Sequence, residues 1–373
     1  MQALMLPLGE GDCKKGIRTS FLSAVAPMLS EVGIGIGYEL KGNELEPDGW
    51  VNELRAAQPE AQLCWHPGAG IAKTLGKPEE PIPPALEKAA TQAGLLKDKI
   101  GLSVFTIHLA PALSEERTGD DRFLSPIGAE AMLAHIKRQV EPLCRLAEAT
   151  QGILAVETVD AYNFVDSGHK LPTYLALQTG AGLELRYLAH EVEKRTGIRL
   201  LITVDPEHVI CSNNVFARQR DMATFPAWMP AIATGDQEEL ADITGYWLGE
   251  GQIPSALNEN DRYYGDMAVY RAINDFDPAL LHLGAAVEAE TEQHEIGTHL
   301  PYNPWDEKQM ALLDWLLKWS LGRETCRGWV IEVVGRRLSD RYSTWSPRPD
   351  DDEVAKLMSY LVVADHLKTL ATA

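Results

Sequence analysis

Acids and imidazoles recur at the downstream ends of apolar runs in this chain. AQLCWH (61–66) ends at His66, SVFTIHL (103–109) carries His108, and GILAVET (152–158) carries Glu157. IRLLITVD (198–205) ends at Asp205, with His208 three residues on; ALLHLGA (279–285) holds His282 and GWVIEVV (328–334) holds Glu332. The stretch TEQHEIGTH adds Glu292, His294 and His299. A lone His in an apolar run is more often a hydrogen-bonded core residue than a ligand. An ionised carboxylate there is different, because it must be paired or coordinated to tolerate burial. Six successive runs ending this way are improbable as independent accidents, so they are read together as one pocket. Mixed imidazole and carboxylate donors suit Zn²⁺, Mn²⁺ or Fe²⁺, whereas Mg²⁺ ordinarily takes fewer imidazoles.

The elements that must position these residues follow from the spacing of the apolar runs. Eight short runs suit buried parallel strands: the six above, preceded by ALMLPL (3–8) and GIGYEL (35–40). Between them the pattern predicts helices at 49–57, 85–97, 126–150 and 182–196, with later ones near 308–321 and 351–371. Ser125-Pro126 is a good helix opening. Strand and helix alternating eight times predict an α/β fold, a (β/α)8 TIM barrel, as a single domain over residues 1–373. Such barrels carry their chemistry at the C-terminal strand ends, which is where the acids and imidazoles fall. A doubly wound sheet with GIGIG (33–37) as a phosphate loop is the rival, but that stretch runs into a strand instead of following one. Residues 212–277, between the sixth and seventh strands, contain Phe225, Trp228, Trp247, Tyr263 and Tyr264. They are too many for one connecting helix and are expected to form a helical, aromatic insertion over the barrel mouth.

Composition narrows the function classes. The chain has 373 residues, 45% hydrophobic and 24% charged, with a formal net charge of −20. That charge disfavours nucleic acid as a partner, since phosphate binding draws on clustered Lys and Arg, yet it leaves room for a local basic or metal-lined cleft. No stretch is long and apolar enough to span a membrane and the N-terminus has no signal-peptide pattern, so a cytoplasmic protein with reduced thiols is expected. The five cysteines are scattered, with no CxxC pair. A small-molecule substrate is the expected partner; no stretch identifies an oligomer interface.

The strand-end residues resemble those of the xylose isomerase-like barrel superfamily, which includes sugar isomerases, epimerases and the endonuclease IV type of abasic-site nuclease (AP endonuclease family 2). The shared pattern is a metal-binding Glu, then Asp-x-x-His, then His, then Glu on successive strands. Here it reads Glu157 in AVETVD, Asp205 and His208 in DPEH, His282 in LLHLGA, and Glu332 in VIEVVG. The resemblance implies that Glu157, Asp205, His282 and Glu332 hold one divalent metal, with His208 reaching substrate or a further ion. In the epimerase branch Glu157 and Glu332 also serve as acid and base. The nuclease branch implies two or three ions, with His66 and His108 as further ligands. Glu292-Gln293-His294 before Ile296-Gly297 is then a variant of a third site, and His299 competes with His294 for the loop role.

Three reaction classes stay open at this point. The first is a divalent-metal isomerase or epimerase acting on a sugar-like small molecule. The second is a multinuclear phosphoesterase, and the third a multinuclear iron oxidase. A non-enzymatic binding module would require the strand-end residues to be metal-free and mutually hydrogen-bonded. Arg336, with Arg337, reads equally as a substrate-phosphate contact or as a rim salt bridge, while Lys73 and Lys77 read better as solvated loop charges.

Overall fold

A computed structural model of the protein describes residues 1–68, 82–108, 129–158, 162–164, 170–172, 182–208, 278–288, 296–333 and 352–372. The barrel strands are β1 (Ala3–Leu8), β2 (Gly35–Lys41), β3 (Gln62–His66), β4 (Leu102–Ile107) and β5 (Leu154–Glu157), then β8 (Leu201–Val204), β9 (Pro278–Leu283) and β12 (Gly328–Ile331). All eight pair in parallel, in the order β1-β2-β3-β4-β5-β8-β9-β12, and β12 closes on β1. Two antiparallel pairs lie outside the barrel: β6 (Tyr162–Phe164) with β7 (Lys170–Pro172), and β10 (Ala285–Glu288) with β11 (Ile296–Leu300).

The described helices are α1 (Glu10–Lys15), α2 (Ile17–Ser30), α3 (Trp50–Ala57), α4 (Pro84–Ile100), α5 (Ala129–Ala149), α6 (Gly182–Thr196), α7 (Glu307–Ser320) and α8 (Asp352–Thr372). The fold is therefore the (β/α)8 barrel that the periodicity predicts, and each of the eight apolar runs overlaps one barrel strand. The short pairs β6/β7 and β10/β11, and the helices α1 and α2, were not anticipated. The 212–277 insertion and the Ser125-Pro126 helix opening lie outside the described residues. No described helix is long and apolar enough to cross a membrane. Cys13, Cys64, Cys144 and Cys326 are unpaired.

Two apolar clusters show which way each strand residue points. Ala3, Met5, Cys64, Val104, Ala155, Leu280 and Val330 form a small cluster inside the barrel. Their strand neighbours, among them Leu4, Leu63, Trp65, Phe105, Leu281 and Trp329, pack outward against the helices in the main core. Side chains alternate along a strand, so the inward set continues two residues on from Cys64 to His66, from Ala155 to Glu157, from Leu280 to His282 and from Val330 to Glu332. Pleat parity alone thus aims the polar residues at the axis of the C-terminal mouth.

The interior is narrow enough to need a glycine. A Cβ on Gly37 would lie 2.6 Å from the Gln62 carbonyl oxygen and 2.9 Å from Met5 Cγ. The absent side chain lets Met5 fill the axis. At the rim, buried Arg18 donates to Glu353 Oε2 at 2.7 Å, to Asp12 Oδ2 at 3.0 Å and to the Pro7 carbonyl at 2.5 Å, tying α8 and α1 to the end of β1.

Gly37→Ala should destabilise the protein by about 2 kcal/mol through overpacking against backbone that cannot withdraw. Gly11→Ala, in α1 where nothing lies within 4 Å of a new Cβ, should be neutral or stabilising by up to about 1 kcal/mol. Urea midpoints check the contrast, and equal effects at the two glycines would refute it.

Candidate metal centre

His282 stands at the middle of the C-terminal mouth. Its Nδ1 lies 3.0 Å from Glu157 Oε1 and 2.5 Å from Glu332 Oε2, and its Nε2 lies 2.8 Å from Glu39 Oε1. Burial pushes the imidazole pKa down, but Glu157, Glu332 and Glu39 outweigh it and hold the ring well above its ordinary value. The carboxylates respond in kind. Burial raises Glu157, yet His282 and His108 pull it well below the usual range. For Glu332 burial is overcome by Lys41 and His282, and the same two cations bring Glu39 down to about 2. The His282 imidazolium is the counter-ion that three carboxylates share.

Asp205, the residue after β8, is fully buried. Its Oδ1 accepts the backbone N–H groups of Glu207 at 2.8 Å and His208 at 3.1 Å, capping the turn at 206–208. Oδ2 has no hydrogen-bond partner among the described residues. Burial pushes this carboxyl up to about 7, with repulsion from Glu157 and Glu332 acting against the pull of His208 and His282. Donor atoms of Glu157, Asp205, His282 and Glu332 all lie within 4.8 Å of one another. Three carboxylates, one imidazole and an orphaned buried oxygen among them fit a divalent cation, which would take over the charge balance that the imidazolium supplies.

A second donor group shares Asp205. His208 donates from Nδ1 to the Thr158 carbonyl at 2.8 Å, and His299 from Nδ1 to the Glu332 carbonyl at 3.1 Å. Both rings therefore turn Nε2 inward, 3.3 Å from each other and, for His208, 3.4 Å from Asp205 Oδ2, so that each neutral ring offers a lone pair there. Backbone carbonyl partners of this kind set the tautomer of ligating imidazoles. His299 itself is held in left-handed backbone (φ 56), with its N–H donated to the buried Glu207 Oε2. Glu207 reaches that position because residue 284 is glycine, where a Cβ would fall 2.1 Å from Glu207 Oε1.

On the opposite side His108 Nε2 bonds Glu157 Oε2 at 2.8 Å, and His66 Nε2 lies 3.6 Å from the same oxygen. Burial, with Lys41 beside it, pushes His66 down to about 3 and keeps it neutral. Of the residues singled out in the sequence, His66, His108, Glu157, Asp205, His208, His282, His299 and Glu332 are thus brought together. Glu292, His294 and Arg336 lie outside the described residues. Three participants were missed. Glu39 and Lys41 sit at inward positions of β2, and the carboxylate in GIGYEL warranted the argument applied to Glu157. Glu207 gave no comparable signal, since the turn alone decides where it points.

No family model and no curated protein matches the sequence. Among solved structures, an L-ribulose 3-epimerase aligns over 99% of this chain and 95% of its own, at 10% identity and a TM-score of 0.49. A D-allulose 3-epimerase from Methylomonas sp. aligns over 97% and 98%, at 12% identity and a TM-score of 0.44. A D-psicose 3-epimerase from Clostridium cellulolyticum H10 aligns over 100% and 99%, at 12% identity and a TM-score of 0.45. The strand order described above establishes the barrel without them.

Metal binding should be pH-dependent in a specific direction. Ligation needs His282 neutral and Asp205 ionised, so both give up protons below pH 7. Asp205, at about 7, is already ionised above that. Affinity for Mn²⁺ should rise with pH, and proton release per ion should fall by about one between about pH 6 and about pH 8. Calorimetry in buffers of different ionisation enthalpy measures this; a release independent of pH would refute it, and Asp205→Asn should abolish the step.

Proposed function

We propose that the protein is a divalent-metal-dependent isomerase or epimerase acting on a sugar-like small molecule. The observation that carries this reading is the asymmetry of the two carboxylates around His282. The side chain of Glu157 is 1% exposed, whereas that of Glu332 is 21% exposed, beside Lys41 at 31%. One carboxylate is buried as a structural anchor and the other opens to an entering molecule.

A cation held by Glu157, Asp205, His282 and Glu332 would polarise substrate oxygens and so acidify an adjacent C–H. The remaining steps belong to the side chains. Glu332, kept ionised at neutral pH by the Lys41 ammonium beside it, is the base that takes a proton from the carbon next to a carbonyl. Its exposed edge lets it reach that carbon, and the Lys41 ammonium 3.5 Å away steadies its orientation. Glu157 is clamped by His108 at 2.8 Å, so its oxygens stay in place through the proton transfer. Return of that proton by Glu332 to the neighbouring carbon moves the carbonyl, whereas inversion needs a second acid on the opposite face, the role that falls to Glu157 when it carries a proton.

A second reading, a multinuclear phosphoesterase, draws on the convergent Nε2 atoms of His208 and His299 beside Asp205. Adjacent ions sharing a carboxylate can activate water and stabilise a leaving oxygen together. Incision of abasic duplex by protein loaded with Zn²⁺ would favour it.

Turnover of a panel of aldoses and ketoses in D₂O with Mn²⁺ should place deuterium at a substrate carbon. Glu332→Gln should lower kcat by roughly 10²-fold or more while circular dichroism stays unchanged. Turnover without solvent exchange, or unaffected by the substitution, would overturn the isomerase reading.

A further inference from the structure

Glu39, His66, His282 and Glu332 form another donor set, with ligand atoms within 4.8 Å of one another. By composition this corner is as good a divalent-cation site as its neighbour. It differs in containing a cation supplied by the chain. The Lys41 ammonium lies 2.5 Å from Glu39 Oε2, 3.2 Å from His66 Nδ1 and 3.5 Å from Glu332 Oε1. The strand geometry puts it there. Glu39 and Lys41 are both inward on β2, so the ammonium folds back over the carboxylate, and Lys41 is the register partner of His66 on β3.

The contact with His66 has a chemical consequence. An ammonium has only protons to give, so Nδ1 must accept. A neutral ring then carries its proton on Nε2, the nitrogen that faces Glu157 Oε2 at 3.6 Å. His66 is thereby withdrawn as a ligand from the adjoining His66–His108–Glu157 group as well. One lysine occupies the first corner and disarms the second.

We propose that Lys41 is a built-in monovalent cation that takes the place of a second divalent ion on the His66 side of the site. Divalent binding is then confined to the Glu157–Asp205–His282–Glu332 centre and its His208–His299 flank. This deepens the metal reading above and rests on it. A two-ion reaction is thereby left only the His208–His299 flank, because an ammonium orients oxygens but cannot supply a metal-bound water as nucleophile.

Mn²⁺ bound per chain, counted by equilibrium dialysis with the free ion read by electron paramagnetic resonance, tests this. Lys41→Met should bind one more Mn²⁺ than the parent chain. The extra ion should vanish in Lys41→Met combined with His66→Ala, and Lys41→Arg should keep the parent count. A count in Lys41→Met equal to or below the parent's would overturn the proposal. If Lys41→Met fails to fold by circular dichroism, ¹⁵N-imidazole spectra of the parent decide. His66 should be the neutral Nε2–H tautomer and stay so at saturating Zn²⁺, whereas coordination at His66 would overturn the proposal. A parent chain that binds no Mn²⁺ while Lys41→Met gains one ion would defeat the four-ligand centre and leave the role of Lys41 standing.

Discussion

Four carboxylates, Glu39, Glu157, Asp205 and Glu332, converge at one end of a barrel whose axis is only wide enough for Met5 to pack against a glycine. Each would be costly alone in such a place, and together they repel. The arrangement persists because cations are interleaved among them. His282 lies within 3.0 Å of both Glu157 and Glu332 and within 2.8 Å of Glu39, and Lys41 bridges Glu39 and Glu332. Asp205 is balanced least: its buried Oδ2 has no hydrogen-bond partner among the described residues, with His208 Nε2 3.4 Å away, and burial drives its carboxyl upward to about 7. A buried oxygen in that state fits a cluster that receives a cation.

The surrounding groups divide according to whether they present protons or lone pairs. On the His208–His299 flank both Nδ1 atoms are spent on backbone carbonyls, so the neutral rings present lone pairs beside Asp205. On the His66–His108 flank the ammonium of Lys41 and the bond from His108 to Glu157 turn protons inward instead. Similar residue types thus make one side receptive to a positive ion and the other already occupied by positive charge. The distinction lies in which ring nitrogen each neighbour engages.

Much of this was legible in the sequence. The eight apolar runs and the helices between them specified a barrel, because buried parallel strands read as short apolar stretches whatever their partners. The candidate pocket was legible too, since a (β/α)8 barrel has one chemical face and period-two alternation assigns each strand-end residue to the axis. Glu39 was legible on the same ground as Glu157, since GIGYEL reads as a buried strand that carries a carboxylate near its end. Lys41 could not have been read, because a lysine at a strand end is ordinarily a solvated charge and only the β2–β3 register sets it beside His66.

What the sequence alone determined is the fold class and the strand ends at which most of the donors sit, both consequences of local periodicity and of the rule that apolar strands do not bury carboxylates idly. What the tertiary structure decided is how those donors are grouped. His299 joins His208 only through a left-handed backbone turn held by Glu207, and His282 gathers Glu39, Glu157 and Glu332 from three other strands. Whether an imidazole offers a proton or a lone pair depends on neighbours tens of residues away, such as Lys41 for His66 and the Glu332 carbonyl for His299. Hydrogen bonds of that range are fixed by barrel register and closure, which no local pattern encodes.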